Sequence, residues 1–383
     1  MKRVPPCGVL REEGQVSFHH SIEPYKNFDF QDFFAQVTQE RVAAALAAEK
    51  LSEKDFLVLL SPLAAESLEQ MARKASELTV QYFGRTIQLY IPLYISNFCA
   101  NECIYCGFHR GNDIRRKKLS LAEIEAEART IAATGMRHLL LLTGEAPAVT
   151  PIEYLEEAVR LLKKYFASVS IEIFPMDETD YRRLKEAGVD GLTLYQEVYD
   201  ERRYGLVHLA GRKTDYRYRL DAPERGARAG FRMVNIGPLI GLGEVRSEVF
   251  FSGLHAGYLA DNFLQTEVSL SLPRMNPAEG NYQAEFHADD RTFVQFLTAL
   301  RCFLPRAGLT VSTRESAAFR DNLIRLGATR FSAGSCTGVG GYGDREDSGS
   351  PQFAITDERS VAEVVQAIRQ SGYQPVYKDW DMI

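Results

Sequence analysis

From residue 87 onward the chain alternates short, apolar, β-rich runs with stretches whose apolar residues recur at helical spacing. Eight runs read as strands: Ile87–Ile95, His138–Thr143, Val169–Phe174, Gly191–Gln196, Met233–Leu239, Glu267–Leu272, Leu309–Thr313 and Thr329–Ser332. The stretches between them carry helix boundaries. Ser120 with Glu123 predicts a capping box, and Thr150-Pro151-Ile152-Glu153 predicts another with proline at the first helical position. Gly135, Gly188, Gly230, Gly308 and Gly327 each follow a helical stretch, where C-cap glycines belong. Eight strand–helix repeats predict a parallel (β/α)8 barrel of the TIM type. An open doubly wound sheet is the alternative; it fits less well because cysteines, not a glycine-rich phosphate loop, follow the first strand. Residues 1–86 have a different texture. Phe33–Lys50 and Glu53–Phe83 carry apolar residues at helical spacing without a strand pattern, and Gly84 stands as the stop. The expected organisation is an N-terminal helical extension, 1–86, packed on a barrel with its C-terminal segment, 87–383.

Composition narrows the classes. Of 383 residues, 45% are hydrophobic and 25% charged, the balance of a globular protein large enough for one barrel. A formal charge of −6 argues against nucleic acid as a partner, since phosphates call for a basic face. Apolar stretches such as Leu139–Leu142 are too short to cross a bilayer, and Met1–Pro6 leads into charged residues without an apolar signal region. A cytoplasmic location is expected. The six cysteines are Cys7, Cys99, Cys103, Cys106, Cys302 and Cys336, three of them within eight residues. That clustering favours metal or catalytic use over a disulfide framework.

Cys99, Cys103 and Cys106 have the spacing C-x3-C-x2-C directly after the first strand. A cubane cluster has four irons, each wanting a thiolate. Three cysteines in one loop bind three irons and leave the fourth open, the mark of a catalytic metal site. The amino and carboxylate groups of a ligand such as methionine can chelate that open iron. A closed Cys3His zinc site using His109, or three unliganded core cysteines, are the alternatives. The placement, at the barrel end where active sites are built, favours the cluster. Cys7, Cys302 and Cys336 read as structural, and His19-His20 as a surface pair.

The cysteine loop, with aromatic Tyr105 before the last cysteine, resembles the radical SAM superfamily. Pro92-Leu93-Tyr94, Cys99 to Cys103 and Tyr105-Cys106-Gly107-Phe108 resemble, more narrowly, the 2-iminoacetate synthases, the tyrosine lyases of thiamine biosynthesis. The likeness extends to Leu60-Ser61-Pro62, Leu141 to Glu145, Tyr195-Gln196-Glu197, Ser312 to Glu315 and Lys378-Asp379-Trp380-Asp381. It implies a [4Fe–4S] cluster and S-adenosylmethionine (SAM) as cofactors. It further implies cleavage of the Cα–Cβ bond of L-tyrosine to 2-iminoacetate and p-cresol, with methionine and 5′-deoxyadenosine formed. The implied partners are the thiazole synthase ThiG and a reductant such as flavodoxin or ferredoxin. Three rivals are a lyase of the same type acting on tryptophan, a hydrogenase-maturation relative with a further cysteine-bearing C-terminal domain, and a non-catalytic iron–sulfur or zinc sensor.

Other candidates sit at successive strand ends. Gly144 and Glu145 follow the second strand, where the resemblance places the methionine amino group of the cofactor. Gln196 and Glu197 end the fourth and suit cofactor or substrate contact. Gly237 and Gly241, in Gly237-Pro238-Leu239-Ile240-Gly241, match a stretch against which the adenine would lie. Of Arg219 and Arg225 in the preceding segment, Arg219 is the candidate for the cofactor carboxylate. Arg314, ending the seventh strand, offers a guanidinium fork for an amino-acid carboxylate, with an ion pair to Glu315 as the alternative. Ser332 and Tyr94 are the companions that the resemblance assigns to the substrate backbone. Asn276 stands where relatives commonly carry arginine. Gly334–Gly343 is glycine-rich but lacks Lys-Ser/Thr at phosphate-loop spacing, and reads as a mobile loop closing the barrel mouth.

Overall fold

The computed structural model describes residues 17–280, 282–343 and 346–377. Eight parallel strands form a closed ring: β1 (Thr86–Ser96), β2 (His138–Thr143), β3 (Ser168–Glu172), β4 (Gly191–Thr193), β5 (Met233–Ile236), β6 (Glu267–Ser271), β7 (Gly308–Val311) and β8 (Arg330–Ser332). Each pairs with the next, and β1 closes the ring by pairing with both β8 and β2. All eight predicted runs are present. Those for β4 and β5 overrun the strands by three residues because regular pairing gives way near the mouth. There the Leu194 and Gln196 amides donate to the Asn235 and Gly237 carbonyls, and Glu197 takes a left-handed φ of 71°.

A ninth strand, β9 (Gln374–Val376), escaped the pattern, being three residues long with a central proline. It pairs with Thr86–Gln88 at the base of β1. Gln88 pairs with β8 and β9 together, so β9 occupies the edge that β2 takes further up.

The extension holds more and shorter pieces than expected. Helices Phe18–Ile22, Phe30–Ala35, Gln39–Ala47 and Glu53–Leu59 precede a 3₁₀ turn, Leu63–Ser67, and the helix Leu68–Phe83. The first predicted helix is broken at Thr38, whose extended backbone caps the next helix through its side chain. The second is broken at Pro62, which cannot donate within a helix. Phe56 stacks on Phe303 at 4.4 Å, and the Gln295 amide donates to the Leu59 and Ser61 carbonyls at 2.8 and 2.7 Å. His19 is buried and only His20 is exposed, against the expected surface pair. The short helix carries Phe18 onto His255, with rings 4.2 Å apart and nearly parallel, and so draws His19 inward.

The Ser120–Glu123 capping box forms. The second does not: Pro151 itself is the N-cap, and the Thr150 hydroxyl donates back to the Ala146 carbonyl. Gly188 caps its helix in the left-handed region. Gly308, expected as a cap, instead opens β7, where a Cβ would press within 2.8 Å of Ser269 Cβ. Cys302 is core, Cys336 is partly buried, and Cys7 and Lys378–Asp381 lie outside the described residues. Among the described residues no helix is long and apolar enough to cross a membrane.

Candidate active site

The cysteine loop leaves β1 at the mouth of the barrel and is laced to three distant segments. The Ala100 amide donates to the Glu145 carbonyl at 2.8 Å, beyond β2. Around a Cys103–His208 bridge the Glu102 amide donates to the Ala210 carbonyl and its carbonyl accepts from the Leu209 amide, and the Ile104 amide donates to the Val207 carbonyl, all beyond β4. The Gly107 amide donates to the Gln352 carbonyl. Gly144 lies so close beneath the loop that a Cβ there would collide with the Phe98 carbonyl. Tyr105 is buried, its hydroxyl 2.9 Å from His208 Nε2.

All three cysteines line an open cavity of about 620 Å³. Its other walls include Gly144, Glu145, Glu197, Arg219 and Tyr94, which brings most of the predicted cofactor residues together. The Glu145 carboxylate accepts from Asn101 Nδ2 at 2.7 Å. Lys213 donates to Glu197 at 2.8 Å, and Arg219 lies 3.6 Å from the same oxygen while donating to the Tyr195 carbonyl. Burial works against the Glu197 carboxylate, but Lys213 and Arg219 outweigh it and hold its pKa below the ordinary range. Arg219 is therefore a buried cavity residue, whereas Arg225 is spent on the Met176 and Tyr218 carbonyls.

Burial pushes the Cys103 thiol up to about 12 and raises Cys106 as well, so a metal that binds the sulfur and displaces the proton is what would hold these groups as thiolates. The donor set fits a cubane better than a single ion. Among the described residues no three His, Cys, Asp or Glu side chains converge on a mononuclear metal position. The His109 ring accepts from the Gly111 amide at 2.8 Å and does not line the cavity, so the zinc alternative lacks its fourth ligand. Three thiols of one loop, opening onto a chamber with polar side chains for a chelating ligand, are what a cluster with one free iron needs.

A second chamber of about 470 Å³ adjoins the first and shares Tyr94, Leu142, Glu172 and Tyr195 with it. Tyr94, Arg314 and Ser332 all line it. Arg314 is not paired with Glu315, because Arg274 takes that carboxylate at 3.0 Å. The Arg314 guanidinium instead lies over the Phe353 ring at 3.3 Å, open to an anion. Ser332 Oγ accepts from the Thr313 amide, and Tyr94 donates to Gln352 Oε1 at 2.9 Å. Asn276 ties the Arg314 loop to the later chain through the Arg314 and Ala354 carbonyls.

Gln196 and the two glycines stand apart from these chambers. The Gln196 side chain is buried elsewhere with neither amide atom bonded. A Cβ on Gly237 would collide with the Ser271 carbonyl, and one on Gly241 would crowd Met275 and Ala284, so both glycines have packing reasons within the protein. The glycine-rich stretch 334–343 is tied down, not loose. Tyr342 donates to the Pro92 carbonyl at 2.6 Å, the Tyr342 and Gly343 amides donate to Glu127, and Val339 bridges Tyr94. Sequence reasoning missed Glu172, Lys213, Asn101 and Gln352. For Glu172 a signal existed, an acid interrupting the apolar end of a predicted strand; for the loop residues none did.

Comparison with known proteins bears on the whole chain. Residues 93–250 match the family model of the radical SAM superfamily, and residues 271–374 that of the Biotin and Thiamin Synthesis associated domain. The chain is 40% identical over 361 residues to a 2-iminoacetate synthase of Escherichia coli (strain K12), covering 93% of this chain and 96% of that one. A 2-iminoacetate synthase of Salmonella typhimurium is 40% identical over 345 residues, covering 90% and 91%. The crystal structure of HydG, a maturase of the [FeFe]-hydrogenase, superposes with a TM-score of 0.86 at 30% identity, over 93% of this chain and 80% of that one. At such identity over nearly its full length, the chain belongs to the 2-iminoacetate synthase family of the radical SAM superfamily.

Proposed function

We propose that the chain cleaves the Cα–Cβ bond of L-tyrosine, giving 2-iminoacetate for thiazole formation and p-cresol. The observation that carries this reading is the meeting of two chambers at one barrel mouth: a cysteine chamber, and beside it a chamber with an unpaired arginine. The cofactors are a [4Fe–4S] cluster and SAM, which when bound supply a 5′-deoxyadenosyl radical able to take a hydrogen atom from the substrate nitrogen. Cys99, Cys103 and Cys106 hold the irons. Gly144 and Glu145 receive the methionine amino group, Arg219 its carboxylate, and Tyr105 and Glu197 flank the rest of the nucleoside. In the second chamber Arg314 grips the tyrosine carboxylate, with Ser332 and Tyr94 beside it. Tyr94, Leu142 and Tyr195 stand between the two ligands and keep water out, which matters because a primary carbon radical attacks almost any neighbour.

The balance requires two electrons and a proton per turnover, one electron to generate the radical and one to complete p-cresol. A flavodoxin- or ferredoxin-type carrier suits that need, and a cytoplasmic location keeps it and the thiols reduced. ThiG, as the consumer of the hydrolysable imine, is the natural partner. Anaerobic, reduced protein given tyrosine and SAM should release p-cresol and 5′-deoxyadenosine. Indole products from tryptophan, with no p-cresol from tyrosine, would overturn the substrate while leaving the radical chemistry intact.

A further inference from the structure

One acid in the mouth has no task in the account above. Glu172 ends β3 and lines both chambers, as well as a third adjoining pocket with Met275 and Asn276. The neighbouring acids are all engaged, Glu145 by Asn101, Glu197 by Lys213 and Glu315 by Arg274. The Glu172 carboxylate has neither a hydrogen-bond nor an ion-pair partner among the described residues. An acid without a partner, half-buried in a cavity whose other acids are all engaged, points to a ligand.

Charge supplies the ligand's nature. Arg314 and Glu172 line the same chamber, and Glu172 is the one acidic side chain among its lining residues. An amino acid whose carboxylate lies on Arg314 must place its ammonium a few bonds away, where this chamber offers a single anion. Facing Glu172 are Arg314 from just beyond β7, Tyr90 and Tyr94 from β1, Tyr195 and Glu197 from beyond β4, and Lys213 and Arg219 from the segment that follows; β2 presents Leu142. Burial and Glu197 raise its pKa to about 7, against the pull of the three cations. The group is thus basic enough to accept a proton yet ionised near neutrality.

Resting on the tyrosine reading, we infer that Glu172 receives the substrate ammonium and takes one of its protons, so that the nitrogen reacts as a free amine. The N–H bond breaks with its electron pair left on nitrogen, and an O–H bond forms on the carboxylate; nothing is oxidised or reduced. An ammonium has no lone pair to stabilise the radical left by hydrogen-atom loss, whereas an amine has.

The test compares wild type, Glu172→Gln and Glu172→Asp as cluster-loaded enzymes of equal iron content. It follows p-cresol release from pH 6 to 9 and inhibition by 3-(4-hydroxyphenyl)propanoate, which is tyrosine without its amino group. Glu172→Gln should lower kcat for p-cresol by about 100-fold or more and abolish the acid limb of kcat/KM. Binding of the deaminated inhibitor should stay within about threefold of wild type, because it never meets Glu172. Glu172→Asp should recover part of the rate and keep the limb; it carries the test if the Gln variant does not load. The inference is overturned if Glu172→Gln retains rate and limb, or if the deaminated inhibitor loses affinity as much as tyrosine does, which marks a structural role. Failure of the tyrosine reading looks different: wild type itself then yields 5′-deoxyadenosine without p-cresol.

Discussion

Arg314 shows what a single side chain contributes when its neighbours are arranged to leave it free. Arg274 satisfies Glu315, Asn276 fixes the Arg314 carbonyl, and the guanidinium is left over Phe353 with one long hydrogen bond, 3.5 Å to the Arg274 carbonyl, and no anion. Arg314→Lys keeps the charge but loses the bidentate geometry, at about 1.5–3 kcal/mol for a charge-assisted hydrogen bond. The tyrosine KM should therefore rise roughly 10- to 100-fold with iron content unchanged; an unaltered KM would remove Arg314 from the substrate site. Cys103→Ala should leave a chain that folds but, reconstituted anaerobically, fails to hold four irons or to cut SAM. Full iron and sulfide in that variant would refute the ligand assignment. These residues were legible because strand ends are countable from the apolar pattern and a cysteine triad has one economical reading. Lys213 and Gln352 were not, because they reach the mouth from loops whose paths no periodicity records.

Among the elements, the first described helix depends on a ring stack that acid should undo. His255 is buried in the helix Val245–Asn262, stacked on Phe18 and bonded to the Tyr199 hydroxyl at 3.1 Å. Burial alone lowers its pKa from 6.5 to about 3. Below pH 6.5 the unfolded chain takes up a proton that the folded chain refuses. The stability this neutral ring supplies is therefore whole above 6.5 and drains away as pH falls toward 3, by up to about 1.4 kcal/mol per pH unit. His138, lowered to about 3 by burial and by Arg330, adds a second such term inside the barrel. The urea midpoint should fall between pH 6.5 and 4.5, and His255→Gln, which keeps an acceptor for Tyr199, should fall less steeply. Equal slopes would show that the ring titrates in the folded state. Helical spacing announced this layer but not its breaks at Thr38 and Pro62, nor that Phe18 would carry His19 inward, since those outcomes depend on what the helices meet.

At the scale of the molecule, barrel closure was readable from the eight repeats, whereas β9 was too short and too proline-bound to register. Stability behind the mouth rests on a group no pattern revealed. Arg320 and Asp357 are paired with both side chains fully buried; Arg320 also donates to the Ser332 carbonyl, and Arg359 braces Asp357. Arg320→Met should cost about 3–5 kcal/mol in urea unfolding, because it strands a buried charge. A loss below about 1 kcal/mol would mean that Arg359 alone suffices. The lacing of the cysteine loop has a consequence of its own. Backbone bonds from beyond β2, from beyond β4 and from Gln352 tie the loop to three separate parts of the molecule. A substitution that loosens any of those anchors should therefore betray itself at a distance, as poorer retention of iron alongside a lower melting temperature.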